Sequence, residues 1–146
     1  MPISLDTSAC RNFDTAVASE WLLTIGLGGY SAGTVAGVNT RKYHGLLVVA
    51  AKPPVQRYLV LSRVEDRVIV PPSPGQTAAI CDLSTNEFAD IVHPQGYKHL
   101  LSFDLAGTGE GGGAGPTWRY SLGTAGILEK SLTLVHSQDA LIVHST

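Results

Sequence analysis

An all-β chain, folded as an antiparallel β-sandwich with little helix, is what this sequence predicts, and three observations predict it. Trp118, Tyr120 and Leu122 alternate with Thr117, Arg119 and Ser121, the period of a half-buried strand. Turn signals punctuate the C-terminal half about every 8–12 residues, the spacing of short antiparallel strands. Hydrophobic residues make up 44% of the 146 positions and charged ones only 15%, which argues for a globular chain with its own core. That length supports a single domain.

Taken in order, Met1 to Thr15 shows few periodic apolar positions, and residues 1–19 are expected to form an extended lead-in to a sandwich over 20–146. Ala16 to Leu23 fits a short helix capped by Asp14, with Val17 and Trp21 four apart, or a strand entering a turn. Gly26, Gly28, Gly29, Gly33 and Gly37 mark a turn-rich segment. Leu46 to Ala51 reads as a strand covered on both faces and ended by Lys52-Pro53-Pro54. In Arg57 to Val70 the residues Tyr58, Leu61, Val64 and Val68 lie at helical spacing. Its β-branched content and the following Pro71-Pro72 favour a strand or hairpin.

Pro71 to Gly75 is read as a loop and Thr77 to Leu83 as a weaker strand. From Tyr97, alternation through His99, Leu101, Phe103 and Leu105 predicts a strand with His99 on its inner face. A glycine-rich loop, Gly107 to Gly115, leads to the Trp118 strand. Phe103, Trp118 and Tyr120 are expected in one core. After a turn at Gly123 to Gly126, a longer strand places Leu128, Leu132 and Leu134 on one face. Ser137-Gln138-Asp139 turns into a last strand begun by Leu141 and Val143.

Charge and composition exclude several functions. A net charge of −2 offers no field for nucleic acid or an anionic membrane, so a neutral partner is expected. Met1 to Asp6 has no basic or apolar leader character, and the longest apolar run is too short to span a bilayer. A cytoplasmic location is expected, with Cys10 and Cys81 as ordinary thiols.

Gly29-Tyr30-Ser31-Ala32-Gly33 is a literal G-x-S-x-G, with Asp90 or Asp104 and His136 or His144 following in the order of a hydrolase triad. Its setting argues against that chemistry, because Thr34, Val35 and Gly37 are poor helix formers where the nucleophile turn needs a helix. The Gly26-Leu27-Gly28-Gly29 run lacks the third glycine of a dinucleotide fingerprint and any Walker lysine. His44, His93, His99, His136 and His144 show no metal-ligand spacing, and no metal or cofactor is expected. Glycoside hydrolysis needs two carboxyl groups at a defined separation. Glu65 and Asp66, as neighbours on a strand, would face opposite ways, and Glu87, Asp90 and Asp104 are scattered, so no catalytic residue is assigned.

The constellation that does suit a ligand is Asn39, Arg41, Tyr43 and His44, with Trp21 and Tyr30. Aromatic faces take the C–H surfaces of sugars, and planar polar groups take paired hydroxyls. The competing reading makes Arg41 the partner of a carboxylate, Tyr43 a core residue and Asn39-Thr40 a turn, with the segment holding a neighbouring domain.

These residues also carry a resemblance. Glu20-Trp21-Leu22, Thr24, Gly26-Leu27-Gly28-Gly29-Tyr30 and Asn39 to Val48 resemble the opening of the bacterial and archaeal type of glycogen debranching enzyme, in its N-terminal domain. Ile25 departs from it, since the family usually carries asparagine there, so a ligand contact at that position does not carry over. His93 to Tyr97, Pro116 to Tyr120 and Leu128-Glu129-Lys130 resemble the following blocks. Gly107 to Gly115 is longer than usual, and Ser137-Gln138-Asp139 stands where Gly-Gln-Asn is common.

The resemblance implies a supersandwich-like, non-catalytic domain. It implies as partner a C-terminal (α/α) barrel, absent from this chain, that hydrolyses α-1,6-linked glucose at branch points of an α-glucan such as glycogen. A stand-alone carbohydrate-binding or interaction module is the alternative. Ala140 to Thr146 stops inside a strand-like run, from which we expect a truncated edge and self-association of the isolated chain through it.

Overall fold

The computed structural model describes residues 3–106 and 115–146, so most of the Gly107–Gly115 connection lies outside the described residues. It is mostly β, as expected, and every strand pairing in it is antiparallel. Strand β1 (Ile3–Leu5) precedes two short helices, α1 (Thr7–Arg11) and α2 (Phe13–Ala18). Then come β2 (Glu20–Thr24), β3 (Tyr30–Thr34), β4 (Gly45–Lys52) and β5 (Val55–Leu61). Next are β6 (Arg67–Val70), β7 (Ala79–Asp82), β8 (Thr85–Phe88) and β9 (Ile91–Gln95). The last are β10 (Leu100–Leu105), β11 (Pro116–Ser121), β12 (Ile127–Leu134) and β13 (Leu141–Ser145).

Two sheets form the sandwich. The first runs β1-β10-β11-β12-β13 and the second β2-β3-β4-β5, while β6-β7 and β8-β9 are separate hairpins. In β2 burial alternates strictly: Trp21 and Leu23 point inward, Glu20, Leu22 and Thr24 outward. In β11 Trp118 and Tyr120 point inward and Arg119 outward. The inward faces meet where Trp21 and Trp118 pack edge to face, their centroids 5.6 Å apart. Phe103 tilts against Trp118 at 5.3 Å, and Leu100, Leu132, Val35 and Val38 belong to the same core. Phe103, Trp118 and Tyr120 thus share one core, as expected. The Trp118 indole donates to the Val35 carbonyl at 2.9 Å, so its buried N–H is satisfied across the sandwich.

The extended lead-in is corrected. Ile3–Leu5 pairs with Phe103–Leu105, so the N-terminal residues belong to the first sheet. Both helices have side-chain caps: Asp6 accepts from the Ala9 amide and Asn12 from the Thr15 amide, so Asn12 and not Asp14 caps the second. The Ala16–Leu23 segment is both alternatives in turn, helix to Ala18 and strand from Glu20.

Further corrections follow from turns. Gly96–His99 is a 3-10 turn, so Tyr97 and His99 are not strand residues, and His99 is only half-buried. A bulge between Leu100 and Ser102 buries Leu100 with Phe103. The Arg57–Val70 run divides into β5, which pairs with β4, and β6, which pairs with β7. Residues 62–66 between them form an irregular strap. The β8-β9 hairpin was not foreseen. Cys10 and Cys81 are both free, and burial first, with the charges of Asp6 and Asp104, pushes the Cys10 thiol up to about 11. That thiol is inert packing.

Candidate functional site

Strand β2 places Glu20 on the outer face of the second sheet, and residues 39–44 fold back over it. The Arg41 Nε donates to Glu20 Oε1 at 2.7 Å and the Tyr43 hydroxyl donates to Oε2 at 2.9 Å. These bonds, that of Arg41 first, hold the Glu20 carboxyl below its ordinary value. The same contacts raise Arg41 and Tyr43, whose charge and phenolic proton they retain. The Tyr30 hydroxyl, from β3, donates to the Tyr43 carbonyl at 2.9 Å. Arg57, from β5, lies over the Tyr30 ring at 5.7 Å and donates to the Gly28 carbonyl at 2.9 Å.

His44 closes the loop from inside. Its side chain is wholly buried. Its Nδ1 accepts from the backbone amides of Thr40 at 3.1 Å and Arg41 at 3.3 Å. With Nδ1 so occupied, the neutral ring carries its proton on Nε2. That atom has no hydrogen-bond partner and lies 3.9 Å from Glu20 Oε2. Burial, the largest cause, lowers the His44 pKa, while the Glu20 charge raises it in part.

The six residues therefore divide. Arg41, Tyr43, Tyr30 and His44 form one contact network around Glu20, and within it Tyr43 is half exposed and the Arg41 side chain 59% exposed. Trp21 belongs to the core, its indole donating to the Thr34 carbonyl at 3.2 Å. Asn39 donates to the Ser62 hydroxyl at 3.1 Å. Trp21 and Asn39 both line a cleft of about 60 Å³ between the sheets, with Trp118, Tyr120 and Leu132 as its apolar floor.

The strap closes this cleft. Lys130 of β12 donates to Asp66, Arg63 donates to Asn86, and Asn86 donates to Glu65. Glu65 and Asp66 are therefore on an irregular segment rather than a strand, and both carboxylates are engaged in pairs.

Glu20 is the member that sequence reading missed. The signal for it was the outward parity it shares with Leu22 and Thr24 in a strand whose Trp21 and Leu23 face in. Ser31 sits buried within β3, paired with Leu23, with no helix after it, so the nucleophile turn is absent. Ile25, the departure noted above, is fully buried. Among the described residues no cluster of His, Cys, Asp and Glu is placed to hold a metal, and no helix is long and apolar enough to cross a membrane.

Residues 19–146 match the family model described as glycogen debranching enzyme N terminal. No curated protein and no solved structure matches the chain.

Proposed function

This chain belongs to the glycogen debranching enzyme N-terminal family, and from that premise we propose that it is the non-catalytic domain of such an enzyme, contributing a wall of the α-glucan site. A C-terminal (α/α) barrel would carry the hydrolysis of α-1,6 branch points, in the cytoplasm. The observation that carries the reading is the Glu20-centred network. It orders an exposed tyrosine ring and the free end of a guanidinium on one loop, both braced by Glu20 of the second sheet. Ring faces and planar donors of this kind suit a neutral polyhydroxylated chain. The capture of Glu65 and Asp66 in ion pairs and hydrogen bonds supports a non-catalytic role. Trp21, Asn39 and His44 act in this reading as the frame beneath the contacting residues.

Maltoheptaose titrated calorimetrically against the chain tests the reading. Binding without glucose release is expected, and Tyr43→Ala and Arg41→Ala are each expected to weaken it by about fivefold, the worth of roughly 1 kcal/mol in one stacking or hydrogen-bond contact. Unchanged binding in both variants would move the glucan elsewhere.

Docking to another domain has its own support. Val55, Tyr58, Leu59 and Val60 of the edge strand β5 are each more than half exposed, as is Ile142 of the edge strand β13. The isolated chain is therefore expected to self-associate through an edge, with a mass by light scattering that rises with concentration. A constant monomer mass would remove this part of the reading.

A further inference from the structure

We propose that residues 39–44 form a proton-operated latch, in which protonation of His44 Nδ1 releases the loop and disassembles the Arg41–Tyr43 surface. The proposal rests on the glucan reading only for its functional consequence; the latch itself stands on the geometry of the loop.

The acceptor at Nδ1 is the key. Two backbone N–H groups, those of Thr40 and Arg41, converge on its one lone pair. A proton added there turns the acceptor into a donor that points at two donors. Both bonds are lost, and the amides of a tight turn are left without partners. The ring cannot turn to water in place, because its side chain is wholly buried. The charged groups that face it are Glu20 from β2 and Arg41 from its own loop, with the Tyr43 ring edge-on at 5.1 Å.

Attraction from Glu20 does not rescue the cation. The carboxylate is 3.9 Å from Nε2 and already accepts from Arg41 and Tyr43. A stronger pull on Oε2 competes with the Tyr43 hydroxyl. Release of the loop hydrates the imidazolium, and it frees Tyr43 and Arg41 from the fixed spacing that a bound chain would need.

The direction with pH follows from the depressed value in the folded loop. The neutral ring is favoured in the closed state, so closure is fully supported above the ordinary histidine value near 6.5. Support is lost as pH falls below that value toward the folded one. Glu20 is itself held below its ordinary value, first by the bond from Arg41 and then by that from Tyr43. By reciprocity, a ligand that requires the closed loop lowers the His44 pKa further and binds less tightly in acid.

The test is residue-resolved NMR of the full chain from pH 8 to pH 5. At pH 8 the His44 ring should be the Nε2–H tautomer. On acidification, amide-exchange protection at Thr40 and Arg41 should fall about tenfold per pH unit within the window, together with the His44 ring shift. The variant His44→Asn, which keeps an acceptor but does not titrate, should hold its protection across the range. An Nδ1–H tautomer at pH 8 overturns the latch. So does a His44 that charges while both amides stay protected, a reading that needs no variant to fold. Maltoheptaose binding measured in the same series should weaken in step with the amides. An intact amide step with no sugar binding at any pH supports the latch and overturns the glucan reading alone.

Discussion

Trp118→Ala is expected to destabilise the domain by about 3–5 kcal/mol, as large aromatic deletions from packed cores do. The indole is 5% exposed and touches both Trp21 and Phe103, so its removal leaves a cavity bounded by rings that cannot collapse together. It also strands the Val35 carbonyl, the acceptor of the indole N–H. Trp118→Phe separates the two effects, since it keeps much of the volume and loses the donor. Urea unfolding followed by Trp21 fluorescence measures both. A loss below about 1 kcal/mol for the alanine variant would mean that the two sheets are not held by this contact.

Gly96→Ala is the second large effect, and its cause is steric. A Cβ built on Gly96 would stand 2.1 Å from the Leu83 carbonyl carbon and oxygen and 2.7 Å from the Ser84 nitrogen. All three are backbone atoms, so no rotamer change relieves the overlap. The turn at Gly96 must separate from the segment before β8, breaking the Gly96 N–H bond to the Ser84 carbonyl at 2.9 Å. It would also pull the Tyr97 amide from the Thr85 hydroxyl. Overpacking costs about 1–3 kcal/mol where side chains can move, and the upper end or beyond is expected here. Gly75→Ala is the control, because nothing lies within 4 Å of a Cβ there, although its φ of +84° adds strain of its own. If thermal unfolding shifts no more for Gly96→Ala than for Gly75→Ala, the close approach to Leu83 is not tight in solution.

What was legible in the chain was whatever strict alternation encodes. β11 announces itself because a strand with one buried face must repeat every second residue, and Trp118 and Tyr120 do so. The helices α1 and α2, of five and six residues, are too short for a 3.6-residue period to appear, although their caps Asp6 and Asn12 were there to be read. The β8-β9 hairpin hid behind polarity. Thr85 and Asn86 are buried, and only their distant partners Tyr97, Arg63 and Glu65 make that tolerable.

The site shows the same division. Residue type pointed to Arg41, Tyr43 and Tyr30, which do lie together. Residue type alone also put Trp21 at the surface, where the parity it shares with Leu23 places it inside. The burial of His44 depends on how six residues turn back on themselves, and no periodicity records that. Glu20, which Arg41 and Tyr43 hold, lies more than twenty positions earlier, across a hairpin.

The order of strands in the two sheets has a consequence for how the chain is made. The second sheet is a meander in which each strand pairs with its neighbour in sequence, so it can assemble as it leaves the ribosome. β1 cannot, because its partner begins with Phe103 and ends with Leu105. At about 5–20 residues per second, Ile3–Leu5 waits roughly 5–20 s for that segment to be synthesised. The Trp21 face of the finished meander waits longer still for Trp118 to cover it. Through that interval the nascent chain is half a sandwich with its apolar side open, and a slow ribosome lengthens its exposure to chaperones and to other nascent chains.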